Sequence, residues 1–119
     1  MAPTYHHPRT SDLELHEILR VLGDPTRLRI TALLLDSREA PCGALAGRLG
    51  IADSTLSHHL RQMREAGVTS TRPEGVQRLT SLRQADLDVR FPGFLDWLRS
   101  ALAAEQMAER EPAAGTLTQ

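Results

Sequence analysis

The sequence predicts a mainly α-helical domain with one small β-hairpin, and three observations lead to that class. Apolar residues recur at helical spacing in four stretches between Ser11 and Gly67, each bounded by residues that start or stop a helix. Two polar-rich extended runs then flank Pro73-Glu74-Gly75. A last apolar-periodic stretch follows Pro92. The expected order is α-α-α-α-β-β-α, five helices and a hairpin in a chain of 119 residues. That length fits one domain, the commonest size being ~100–150 residues.

Each element has its own signal. Residues 1–10 contain Pro3, Pro8 and a polar run without periodicity, and read as a flexible arm. Ser11 and Glu14 have capping-box spacing, opening a helix with Leu15, Ile18, Leu19 and Leu22 on one face. Gly23 ends it. Asp24-Pro25 starts the next, with Asp24 as N-cap and Pro25 in the first turn, where its missing N–H does no harm. Leu28, Ile30, Leu33, Leu34 and Leu35 make that helix central to the core. A polar connection from Asp36 to Pro41 leads to a short helix from Cys42 to Leu49, stopped by Gly50. After Ile51-Ala52-Asp53 a further helix runs from about Ser54 to Ala66 and ends at Gly67. Two short helices around a glycine-containing turn form a helix-turn-helix. The extended runs Val68–Arg72 and Val76–Leu82 follow it as a hairpin, or wing. The last helix carries Phe94, Leu95, Leu98, Ala101, Leu102 and Glu105. The folded unit is therefore expected over residues 11–108, with 109–119 as a disordered tail.

Composition narrows the function. The single cysteine, Cys42, makes no intramolecular disulfide, which fits a reducing cytoplasm. No basic stretch leads into an apolar run at the N-terminus, and no segment approaches the ~20 apolar residues of a membrane span. No nucleophile–base pair, phosphate-binding glycine loop or paired-carboxylate pattern is present, so an enzyme is not expected. Net charge is −1, but its distribution is uneven. Residues 53–83 carry five Arg against three acids, while residues 84–119 carry three Arg against six. The basic excess thus coincides with the second helix of the helix-turn-helix and the hairpin.

That helix is the informative surface. With Leu56, Leu60 and Met63 inward, Ser54, Ser57, His58, Arg61 and Arg64 or Glu65 point outward, Gln62 lies at the margin, and Thr55 joins Ser54, Ser57, His58, Arg61 and Gln62 as a DNA-binding candidate. Small hydroxyls at a helix N-terminus approach phosphates closely, and the helix dipole favours an anion there. Arg61 is long enough for a guanine edge or a phosphate. Arg72 and Arg78 on the hairpin arms are placed for the DNA backbone. Any one of these arginines alone reads as an ordinary solvated charge; together they predict double-stranded DNA as the partner. His59, beside the buried stripe, reads as a half-buried structural residue.

The run Leu22-Gly23-Asp24-Pro25-Thr26-Arg27-Leu28-Arg29-Ile30 resembles the second-helix signature of the ArsR/SmtB family of bacterial regulators. Leu45-Ala46, Leu49-Gly50-Ile51 and Ser54-Thr55-Leu56-Ser57-His58-His59-Leu60 resemble that family's helix-turn-helix. Arg64-Glu65-Ala66-Gly67-Val68 and the Glu74-Gly75 turn continue the likeness, which spans roughly residues 12–102. The resemblance implies a dimeric winged helix-turn-helix acting as a homodimer on an inverted-repeat operator under effector control. It puts the first and last helices in the dimer interface, here through Leu15, Ile18, Leu19, Phe94, Leu98 and Leu102. Leu79-Thr80 departs from the family, which usually has aromatics there.

The family's metal sites are not reproduced. Pro41 and Gly43 fill the thiolate positions on either side of Cys42, which reads as a small buried hydrophobe rather than a reactive thiol. Asp86-Leu87-Asp88 replaces the family's Asp-x-His, and no histidine follows His59. The remaining metal candidates are His6, His7 and His16, with Glu14 or Glu17, a set suited to weakly bound nickel or zinc. His6-His7 equally reads as a solvated tail. The function expected is a sequence-specific, cytoplasmic transcriptional regulator, repressor or activator, with three sensing alternatives besides metal: redox change, an organic ligand or a co-regulator protein. The reading from another class is a winged helix that binds protein and no DNA.

Overall fold

The computed structural model describes residues 5–110. The order of elements is a 3-10 turn (Thr10–Asp12), α1 (Leu15–Leu22), α2 (Pro25–Asp36), β1 (Ala40–Pro41), α3 (Cys42–Leu49), α4 (Asp53–Ala66), β2 (Thr69–Glu74), β3 (Gln77–Leu82), α5 (Gln84–Arg90) and α6 (Phe94–Arg110). The mainly helical class with a hairpin wing stands. Three elements were not expected: the 3-10 turn, β1 and α5.

The four predicted N-terminal helices all form, and three of them start where the sequence places them, for local reasons. The Asp24 carboxylate accepts the Arg27 N–H at 3.0 Å and Pro25 occupies the first turn, so α2 starts as read. Both helices of the helix-turn-helix end in the same glycine motif. Gly50 (φ 68°) follows α3, with Ile51 N–H bonded to Ala46 O and Gly50 N–H to Gly47 O. Gly67 (φ 89°) follows α4, with Val68 N–H on Met63 O and Gly67 N–H on Arg64 O. This paired bonding satisfies carbonyls that the helix end leaves open. At Gly67 a side chain is also sterically excluded: an added Cβ would lie 2.0 Å from Leu13 Cδ2.

One core unites these elements. Ile18, Val21, Ile30, Leu34, Leu45, Leu56, Leu60 and Met63 are buried together, with Leu87, Leu95 and Leu98 closing it from the C-terminal side. The sheet order is β1-β3-β2, all antiparallel, with Ala40 opposite Thr80 and Thr69 opposite Leu82. Thr69, Thr71 and Thr80 are buried, so threonines supply much of the wing's inner face. The hairpin turn is Gly75-Val76, between the paired Glu74 and Gln77, and Gly75 supplies the positive φ of 60°. Pro73 and Glu74, expected in the turn, belong to β2.

The N-terminal end differs most from expectation. Ser11 lies in the 3-10 turn, Glu14 takes the N-cap position of α1, and no side-chain cap forms, so the capping box is not made. The described part of the expected flexible arm, residues 5–10, is fastened to the body instead. His7 Nε2 accepts the Thr71 N–H at 3.1 Å, Pro8 O accepts from Arg83 at 2.7 Å, and the Thr10 hydroxyl donates to Asp86 at 2.6 Å. Each bond joins residues more than sixty positions apart in the chain, which no local pattern encodes. At the other end α6 continues through Glu109, the first residue of the expected tail. Positions 1–4 and 111–119 of the two expected disordered ends lie outside the described residues.

Candidate nucleic-acid interface

Helix α4 positions the candidate site because its buried stripe fixes its rotation. Leu56, Leu60, Met63 and Ala66 face the core. Ser54, Thr55, His58 and Arg61 are thereby exposed, and Ser57 and Gln62 are half-buried at the margin. His59, one position from His58, turns the other way, and its Nδ1 accepts from Arg27 Nε at 3.2 Å. That bond ties α4 to α2 and withdraws His59 from the outer face.

The wing meets this helix across an open cleft. Ser54, Ser57, His58, Arg61, Arg64 and Arg78 line it, so the exposed Arg78 joins the two arginines of α4. Tyr5 lies in the same cleft, with the Arg64 guanidinium 4.9 Å from its ring centroid, a cation–π contact. Tyr5 was not a sequence candidate, because its role depends on the fastened N-terminal segment.

Arg72 does not join the cleft. Its Nε and Nη2 each donate to Glu39 at 2.8 Å, and Nη1 donates to Glu74 at 2.5 Å. The two hydrogen-bonded carboxylates raise the Arg72 pKa, and the Arg72 guanidinium lowers that of Glu39. The residue expected on a phosphate braces the wing against the α2–β1 connection.

Cys42 is buried beneath the cleft. Burial pushes its thiol up, outweighing the pull of Arg78 and Arg64 toward thiolate. A protonated, covered thiol is a poor nucleophile and a poor metal ligand. The metal candidates are not brought together. His7 is the acceptor for Thr71, while His16 stands exposed on α1 with Glu14 and Glu17 at 3.9 and 3.8 Å. Among the described residues no group of three or more His, Cys, Asp or Glu side chains is placed to hold a metal ion.

The six dimer candidates divide. Leu15 and Leu19 are 45% and 50% exposed on α1, and Phe94 and Leu102 are half-buried on α6. Ile18 and Leu98 are buried in the protomer's own core, which corrects their assignment. The apolar period locates a helix's inward face but does not say whether core or partner covers it. On α5 and α6 the described exposed apolar residues that the periodicity missed are Val89, Met107 and Trp97, which is 63% exposed and stacks on Phe94.

Fold and cleft together define a winged helix-turn-helix regulator of transcription that binds DNA, and the comparisons agree. A family profile described as a helix-turn-helix domain matches residues 22–72. The HTH-type transcriptional regulator YceK of Bacillus subtilis is 35% identical over 83 residues, 69% of this chain and 83% of that protein. The arsenical resistance operon repressor of Staphylococcus xylosus is 35% identical over 75 residues, 63% of this chain and 71% of that repressor. The solution structure of a homodimeric winged helix-turn-helix DNA-binding domain from Mycobacterium bovis superposes with a TM-score of 0.63 at 23% identity, covering 80% of this chain and 82% of that one. The chain belongs to the ArsR family of transcriptional regulators. Its relatives are regulators rather than enzymes, and no described helix is long and apolar enough to cross a membrane.

Proposed function

We propose that this regulator works as a homodimer on an inverted-repeat operator, with α4 of each protomer in the major groove. The observation that carries the dimer is where the apolar surface lies. Of the large exposed hydrophobic residues among those described, Leu15, Leu19, Val89, Trp97 and Met107 sit on α1, α5 and α6, and Val76 alone is elsewhere, at the wing tip. Residues 103–109 of α6 are all exposed, so the end of that helix stands off its own protomer. An amphipathic helix presenting Trp and Met to water is matched by a second copy of the same surface. In this arrangement Ser54, Thr55, Ser57, His58, Arg61 and Gln62 read the groove, and Arg78 holds the backbone.

The test is sedimentation of the parent chain and of a Leu19→Glu, Trp97→Glu variant at micromolar concentration. The parent runs as a dimer and the folded variant as a monomer that has lost tight operator binding. A monomeric parent that binds DNA one protomer at a time refutes the reading.

A further inference from the structure

In the sheet order β1-β3-β2 the outer edge of β2 has no strand beside it. The N-terminal segment meets β2 there through one bond, in which His7 Nε2 accepts the main-chain N–H of Thr71 at 3.1 Å. Thr71 is itself buried and lines the cleft between wing and α4. The segment is anchored on both sides of this bond, by Tyr5 on Arg64 and by Pro8 O and Thr10 on Arg83 and Asp86.

We propose that His7 is a positioning residue for DNA binding: as a neutral imidazole it holds the β2 edge through Thr71, and its protonation releases the wing. The acceptor role requires Nε2 to carry no proton, so the neutral ring keeps its hydrogen on Nδ1. The imidazolium has a donor at both nitrogens, and its Nε2–H would confront the Thr71 N–H. The groups around it act in the same direction. Arg83 at the end of β3, Arg64 on α4 and His6 on the same segment all oppose a positive ring, after the larger effect of partial burial, and together they hold its pKa below 6.5. Asp86 on α5, the carboxylate beside Arg83, is engaged by Thr10 and by Arg83, whose Nε lies 3.0 Å away. The sign follows. His7 favours the fastened wing fully above pH 6.5, and its contribution is lost as pH falls through its own lowered pKa.

The test compares the parent with His7→Ala and His7→Gln, whose amide oxygen supplies an acceptor that does not titrate. The probe is a labelled mixed-sequence duplex of about three helical turns, at low salt. At neutral pH His7→Ala binds about two- to tenfold more weakly, the worth of one hydrogen bond, and His7→Gln binds like the parent. Below pH 6.5 the parent falls behind His7→Gln. Amide exchange supplies the second readout: Thr71 is protected in the parent and in His7→Gln, and exchanges faster in His7→Ala. A His7→Ala variant equal to the parent in affinity or in Thr71 protection overturns the proposal, as does a parent/His7→Gln ratio that does not move with pH. A parent chain that binds no duplex overturns the link to DNA, while the Thr71 amide independently decides whether His7 holds the strand.

Discussion

The Arg72 guanidinium meets the Glu39 carboxylate end to end, with two N–H donors each 2.8 Å from an oxygen. The pair joins β2 to the connection that precedes β1, and β1 in turn pairs with β3. The sheet is thus closed by strand pairing on one side and by a bidentate ion pair across it.

Glu39→Gln removes one of the two charges that occupy Arg72. On mixed-sequence duplex the variant binds at least as tightly as the parent at low salt, because a cation becomes available to phosphate. Its salt dependence steepens by up to about 0.9 in log–log slope per added phosphate contact. The measurement is a salt titration of both proteins; an unchanged slope with weaker binding shows that Arg72 serves the wing's shape alone.

Arg61→Ala is the sharpest test of the recognition face. The side chain is exposed in the middle of α4 with no ion-pair partner among the described residues. Its loss costs ~1–3 kcal/mol on the specific operator and less on other sequences, if it reads a base. Equal losses on both assign it to phosphate.

Gly67→Ala destabilises the fold by more than ~2 kcal/mol in urea denaturation. The left-handed backbone costs a non-glycine residue about 1–2 kcal/mol, and the new Cβ must displace Leu13, which is 1% exposed. Gly43→Ala has open space for the methyl group and is the matched control, expected to be neutral or stabilising.

Cys42 stays unmodified by a thiol reagent at neutral pH in the native protein and reacts once the chain is unfolded, since burial disfavours the thiolate. Cys42→Ser leaves any nickel or zinc binding unchanged. Native-state alkylation within minutes contradicts this placement.

Much of the frame was legible because its signals are local. Asp24 caps within three residues, Gly50 and Gly67 stop helices by their own backbone conformation, and the Leu56, Leu60, Met63 spacing sets which side chains of α4 meet solvent. What escaped depends on partners distant in sequence. Strand β1 is two residues long and exists through β3. Helix α5 has no side-chain cap and one buried residue, Leu87, so no periodic pattern marks it. Arg72 was legible as a basic residue on a hairpin arm, but its two carboxylate partners lie on another segment and two residues away on its own strand. The packing of residues 5–10 rests on Thr71, Arg83 and Asp86, contacts that composition cannot disclose.

Selection from a random duplex library tests most directly whether a symmetric dimer reads DNA through paired α4 helices. Bound sequences recovered with the parent chain should converge on an inverted repeat whose half-site centres lie about 10–10.5 base pairs, one helical turn, apart, with the Arg61→Ala variant losing preference at one position in each half. Convergence on a single unrepeated half-site, or no enrichment at all, contradicts the paired-helix dimer.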